Sequence, residues 1–286
     1  AHNLLYFGAN ETKSIEAELI FNTDKGSNLY GVELGLSAGD KLYFKEERAG
    51  FNSSIYTTTQ QPIPLGGGGS SSRLLQISQE DIDYRNYLKT IRTIKNIMRR
   101  WCFFQFHNTT KEAYIRGSSH KHDQSYLRSD GGNLSSFMYM LREQYPKIYL
   151  SIIDVMKQIA PYIDKLIIEE EYNSSYVRIK WSEKNRGDYL FDVSQMSDGT
   201  LRALALVTLL MQPKKPPLIC IDEPELGLHP EAIMIIGDLV KIASEETQII
   251  LSTQSPKLID CFEPEDIIVT NRKNGGTSFE RLDYEK

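Results

Sequence analysis

Cysteine is scarce in this chain. Its three residues, Cys102, Cys220 and Cys261, have spacings that fit neither a disulfide framework nor a zinc site. Reduced, structural thiols in a cytoplasmic protein are expected. Long apolar runs are also missing: no stretch approaches the roughly 20 residues a membrane-crossing helix needs, and no secretory leader is recognisable. Cations are not in excess, and a formal net charge of -5 excludes a global basic field that would attract nucleic acid, leaving only a local patch open. The most consequential absence is Gly-x-x-x-x-Gly-Lys-Ser/Thr, which occurs nowhere in the 286 residues. The first residue is Ala1 rather than Met, so the chain is expected to start downstream of its natural beginning.

The length suffices for one large domain or two lobes with a real core. Residues 1–62 read as an antiparallel β subdomain. Ile15–Phe21 alternates apolar and polar side chains, Leu29–Leu36 and Lys41–Arg48 follow behind Gly/Asp/Asn/Ser turns, and a fourth run ends near Tyr56-Thr57-Thr58. Residues 63–77, with Gly66–Gly69 and Ser70–Ser72, have the composition of a flexible linker or loop, natural or introduced. Residues 78–165 read as a helical lobe with an insertion. Its first helix spans Ser78–Arg100, with Ser78 and Asp81 as its cap. Its second is broken near Tyr145-Pro146. Between them, Trp101–Phe106 is a β-type run and His107–Asn133 a mobile surface loop. The His120-Lys121-His122-Asp123 stretch in that loop has no second cluster to complete a metal site.

Residues 166–286 alternate strands and helices, which implies a parallel sheet covered by helices. Leu218–Ile221 is apolar throughout, as expected of a strand with both faces covered, and Gln248–Ser252 reads as a second buried strand. Ligands in such sheets bind beyond the carboxyl ends of the strands. Asp222 stands there, suited to hold Mg²⁺ against phosphate oxygens, and Glu223 is the natural general base for an attacking water. Upstream, Ser197 caps a helix running to about Met211, and Gly199 allows close backbone approach. The free amides from Ser197 to Thr200 make an anion site. His229-Pro230 opens the next helix, where His229 serves either a subunit contact or a structural hydrogen bond. Thr253-Gln254-Ser255 ends the last buried strand, beside the first site. Ile267–Asn271 and Ser278–Leu282 flank Asn274-Gly275-Gly276 as a hairpin. On the helix before Trp101, Arg85, Lys89, Arg92 and Arg99 share a face that either tracks a nucleic-acid backbone or is simply solvated.

Together, Ser197-Asp198-Gly199-Thr200-Leu201-Arg202, Cys220–Pro230 and Ser252-Thr253-Gln254-Ser255-Pro256 resemble an ABC-type ATPase head of the RecF/SMC-like branch. More narrowly, they are similar to bacterial RecF-like "AAA family ATPases", akin to the ATPase half of OLD-family proteins. Trp101–Phe106 and Tyr126–Gly131 resemble the middle region of that group. The resemblance covers about residues 100–283. It implies an α/β P-loop NTPase core, with an antiparallel β meander and a helical lobe, that uses ATP and Mg²⁺. It makes Met196–Thr200, including Ser197, Asp198 and Gly199, the signature that caps the γ-phosphate of ATP held by another subunit. Asp222 becomes the Walker B metal residue and Glu223 the catalytic residue. Leu226–His229, including Gly227 and His229, become the D-loop. Gln254 stands where many relatives have a switch His, and a neutral amide cannot take up a proton as His can. Gln105 is a candidate for the Q-loop.

The implied activity is ATP hydrolysis by a homodimer closing on ATP, serving DNA repair, another DNA transaction or phage defence, with DNA and a nuclease as partners and no membrane. The strand–phosphate loop–helix unit that should precede the meander is missing, so the chain alone is expected to be inactive. A non-hydrolysing interaction or regulatory module that keeps the ABC fold is the alternative, and direct DNA binding through the Arg85–Arg99 face a third reading.

Overall fold

In the computed structural model, residues 4–5, 11–37, 39–53, 61–78, 80–186 and 189–283 are described. The chain divides after Arg100 into two compact units.

The first unit is built on the alternating strands. β1 (Ser14–Thr23), β2 (Gly26–Ser37), β3 (Lys41–Ser53) and β4 (Ile63–Gly66) form one antiparallel sheet in that order. The run ending near Thr58 lies outside the described residues, and the fourth strand is β4. The Gly/Ser stretch read as a flexible linker is instead tied to β3. Gly68 N donates to Phe44 O at 2.6 Å and Phe44 N to Gly69 O at 2.8 Å. A Cβ at Gly67 would lie 2.1 Å from the Lys45 carbonyl oxygen, so glycine here serves close packing. Beyond it, the fully buried Glu47 carboxylate accepts from Tyr30 Oη at 2.6 Å, Ser72 Oγ at 2.6 Å and Leu74 N at 3.3 Å, and also from Arg73 N. These amides open the short helix α1 (Arg73–Gln76). Composition could not reveal this, because the partner carboxylate lies on a distant strand.

The helix expected from Ser78 starts at Leu88. Ser78 N donates to Asp81 Oδ2 at 2.7 Å, which closes a turn. A 3-10 segment, Ile82–Tyr87, then leads into α2 (Leu88–Met98), which buries Thr90, Ile91 and Ile94.

The second unit opens with β5 (Trp101–Phe104) and β6 (Ser119–His120). It continues through helices α3 (Leu134–Gln144) and α4 (Pro146–Ile159). The break between them falls at Tyr145, because Pro146 cannot continue α3 but suits the first turn of α4. β7 (Ile163–Glu170) and β8 (Tyr176–Glu183) form an antiparallel pair extended by β6 and by the short β9 (Phe191–Asp192). Then come α5 (Asp198–Met211), β10 (Leu218–Asp222), α6 (Pro230–Ser244), β11 (Gln248–Ser252), α7 (Pro256–Ile259) and the hairpin β12 (Ile268–Lys273)–β13 (Gly276–Arg281). Among the described residues no helix is long and apolar enough to cross a membrane.

The parallel sheet has the order β11-β10-β5, with Asp222 level with Ser252 and Ile221 level with Phe104. Ile219, Ile221 and Phe104 join one core with α5, which is buried from Thr200 to Leu210 except at Arg202. The other face corrects the expectation of strands covered on both sides. Phe103 is 62% and Ile250 52% exposed, and β11 is a half-exposed edge strand. The His107–Asn133 segment is also no loose loop. Ala113, Ile115 and Leu127 enter the core, and the fully buried Asn133 side chain bonds Arg128 N at 2.8 Å, Asp123 O at 3.0 Å and Tyr126 O at 2.8 Å.

Candidate functional site

Three parallel strands ending at one level place their next residues side by side. Asp222 stands in the centre. Its Oδ2 accepts from Gln105 Nε2 at 3.2 Å, and its Oδ1 accepts from Ser252 Oγ. His107 Nε2 lies 3.2 Å from the Asp222 main-chain oxygen and its Nδ1 lies 3.3 Å from Gln105 Nε2. A carbonyl only accepts and this amide nitrogen only donates, so the contacts select the Nε2–H tautomer of His107. Gln105, Asp222 and Ser252 line a cavity of about 520 Å³ together with Phe103, Cys220 and Ile250 of the sheet and with Ser129 and Asp130. Burial raises the pKa of the Cys220 thiol.

The chain then turns sharply. Glu223 has φ 43°, a left-handed conformation that costs a non-glycine residue roughly 1 kcal/mol, and its amide is held by Ser252 O at 2.9 Å. This turns the Glu223 carboxylate toward the end of β11, where Gln254 Nε2 donates to Oε1 at 3.5 Å. Glu225 ties down the same loop, its Oε1 accepting from Thr253 Oγ1 at 2.6 Å and Gln254 N at 3.3 Å. Glu225 Oε2 is buried and has no hydrogen-bond partner among the described residues.

The start of α5 forms the second cluster. Ser197 Oγ accepts from Thr200 N at 3.2 Å, the expected cap. The Thr200 hydroxyl is buried between Ser197 Oγ and Tyr162 Oη, at 2.8 Å from each. Ser197 and Asp198 are exposed. Asp198 pairs with Arg116, whose buried guanidinium also donates to Thr109 O at 2.7 Å, Ser194 O at 3.0 Å and Met196 O at 2.8 Å. Gly199 packs on the backbone of Gly227. Arg202 bridges the two clusters, donating to Phe106 O at 3.1 Å, His107 O at 2.9 Å and Leu226 O at 3.1 Å.

The structure therefore brings Gln105, Asp222, Glu223 and Gln254 together, and joins Ser197–Thr200 to Gly227. His229 is exposed at the head of α6 and makes no side-chain cap bond. Arg85, Lys89, Arg92 and Arg99 belong to the first unit, exposed on α2 and its flanking residues. Sequence reasoning missed His107, Arg116 and the fork of Arg202. Only Arg202 left a signal, as the lone charge in the apolar run Leu201–Met211.

A parallel sheet ending in an acidic pair, followed by a Ser-capped buried helix and a polar strand end, places the fold among ATPase heads of the ABC/SMC type. The structure of an SMC head bound to the C-winged helix domain of ScpA matches with a TM-score of 0.57 at 16% identity, over 96% of this chain and 76% of that one. The chain belongs to the family described as "AAA domain, putative AbiEii toxin, Type IV TA system", whose profile matches residues 92–260. It is similar to the Old nuclease of Escherichia phage P2, at 29% identity over 130 residues, covering 42% of this chain and 22% of that protein. It is also similar to the chromosome partition protein Smc of Methanocaldococcus jannaschii, at 28% over 119 residues, covering 41% of this chain and 10% of that protein. The chain thus spans less than a quarter of either relative.

Proposed function

We propose that this chain is the Walker B and signature part of an ATP-hydrolysing head that closes on a second copy around ATP. The observation that supports it best is the cluster at the carboxyl edge of the sheet, where Asp222 is flanked by Gln105 and Ser252 and followed by Glu223 on a strained turn facing Gln254. Asp222, Ser252 and the Gln105 amide oxygen are hard oxygen donors, and one carboxylate with neutral oxygens suits Mg²⁺. Bound there, Mg²⁺ would neutralise charge on phosphate oxygens.

The remaining roles fall to the chain itself. Glu223 accepts the proton of the attacking water, and the Gln254 amide orients that carboxylate by donating to it. Ser197, Asp198 and Gly199 offer the amides at the start of α5 to a γ-phosphate held by the second copy, where a helix N-terminus favours an anion, and Thr200 holds that turn through its amide bond to Ser197 Oγ. Gly227 and His229 border the same contact. The phosphate loop that this reading requires comes from another segment. The exposed apolar side chains Phe103 and Ile250 fit a sheet face that such a segment covers. Similarity to Old nuclease and Smc supports an output on DNA, in defence against phage or in chromosome transactions.

The second reading is a non-hydrolysing interaction module, favoured by the absence of Gly-x-x-x-x-Gly-Lys-Ser/Thr from the chain. ATP turnover and dimerisation of the complete gene product decide between them. Glu223→Gln should retain ATP binding, prolong the dimer and lower turnover about 100-fold or more. Unchanged turnover removes Glu223 from the chemistry. A wild-type protein that neither binds nor hydrolyses ATP establishes the interaction module.

A further inference from the structure

We infer that the exposed face of α2 and its flanking residues is a docking surface for the phosphate backbone of duplex DNA. The inference stands on the first unit alone and does not depend on the nucleotide site.

Although the chain carries a net charge of -5, no carboxylate occurs between Asp83 and Glu112. In that stretch Arg85, Lys89, Arg92 and Arg99 are exposed, and among the described residues none of them makes an ion pair. Two other cations of this unit are neutralised locally, Lys45 by Glu33 at 2.5 Å and the half-buried Arg48 by Glu18 at 3.2 Å. Spacings of three and seven from Lys89, at about 100° per residue, bring Lys89, Arg92, Asn96 and Arg99 into one stripe roughly 80° wide, and Arg85 precedes it in the 3-10 segment. The opposite side of α2 is committed to the core through Ile91 and Ile94. Lys95 is not part of the stripe, because its Nζ donates to Leu75 O at 3.1 Å and Ile77 O at 2.7 Å. Its pKa is lowered by burial and then by Arg99.

Like charges at these spacings repel along the helix, and among the described residues no carboxylate forms an ion pair with them. A polyanion would. With Arg85 the stripe is about 20 Å long, which matches roughly six phosphates along one strand of a duplex. It presents no exposed aromatic ring: Tyr84 and Tyr87 are half-buried, and Tyr84 Oη donates to Leu65 O at 3.1 Å. Single strands are held by stacking on such rings, so the surface favours a duplex backbone, read without sequence preference.

Fluorescence anisotropy of a labelled 30-base-pair duplex, titrated with the full chain between 50 and 200 mM salt, tests this. With about 0.9 ions released per phosphate contact, four contacts weaken binding about 100-fold across that range. Arg92→Glu with Arg99→Glu should weaken binding at least 10-fold at 50 mM salt and lower the slope of log affinity against log salt by about 2. The variant's circular dichroism should match the wild type, since both side chains are exposed. Lys147→Glu with Lys184→Glu makes the same change in net charge on the other unit, and should leave most of the affinity. The inference is overturned by no binding at 50 mM salt, or by equal affinity of the α2 variant. It is also overturned by equal loss in the control variant, by tighter binding of the single strand, or by binding to phosphatidylserine vesicles but not to the duplex.

Discussion

The carbonyl oxygen of Gly227 packs against Gly199 so closely that a Cβ at position 199 would stand 2.2 Å from it. The first turn of α5 and the turn that follows the acidic strand are therefore in direct backbone contact. Arg202, one turn further along α5, fastens the same pair by donating to Leu226 O at 3.1 Å, while two more of its bonds hold the carbonyls of Phe106 and His107. Displacing either turn disturbs the other, and with it the residues around Asp222.

Gly199→Ala meets main chain rather than a yielding side chain, so it should destabilise the second unit by about 1–3 kcal/mol. Thermal unfolding followed by circular dichroism measures this as a drop of several degrees. A midpoint equal to the wild type would mean that the contact is not made in solution.

Arg116 and Asp198 should respond unequally to replacement. The Arg116 side chain is 6% exposed and satisfies three carbonyls besides Asp198, which is itself 61% exposed. Arg116→Leu leaves those carbonyls unpaired and should cost about 3 kcal/mol or more. Asp198→Asn leaves the guanidinium three acceptors and should cost under about 1 kcal/mol. Urea unfolding of both variants checks the ratio, and equal losses would refute it.

Tyr30 predicts an alkaline limit for the first unit. Burial, then its hydrogen bond to the Glu47 carboxylate, raises its pKa well above the ordinary 10.0. The folded state thus holds this proton after the unfolded chain has lost it. The associated stability is complete below pH 10 and falls as pH rises above it, by up to about 1.4 kcal/mol per pH unit. Tyr30→Phe should be less stable at pH 8, because Glu47 loses a donor, yet show a flatter decline between pH 10 and 11. Urea unfolding at a series of pH values is the measurement, and parallel declines would exclude Tyr30 as the source.

The neutral amide of Gln254 beside Glu223 does not titrate. In the complete gene product, Gln254→His should introduce into the turnover–pH profile an inflection near about 6.5 that the wild type lacks. A profile without that inflection would place Gln254 outside the reacting centre.

Local patterns carried much of the fold. Alternation in Ile15–Phe21 marked β1, Pro146 marked the joint between α3 and α4, and Ser197 marked the start of α5; all three lie where the residues indicate. In each case the physical cause acts over a few neighbouring residues. Where the cause is distant, the reading failed. Gly66–Gly69 has a linker's composition, yet is held by the backbone of Phe44 and followed by the Glu47 anchor on β3. Ile249-Ile250-Leu251 is apolar enough for a central strand, but β11 forms the sheet edge and leaves Ile250 half exposed.

The candidate site divides in the same way. By itself, the sequence determined that a short apolar strand ends in Asp222-Glu223 and that a Ser-capped apolar helix precedes it, because chain neighbours alone set strand polarity and helix capping. Only the tertiary structure decided that Gln105, 117 residues away, donates to Asp222, and that Arg202 reaches back 96 residues to Phe106. Those contacts follow from β5 lying beside β10 and from α5 packing over both, and strand adjacency is a property of the folded sheet that no local pattern encodes.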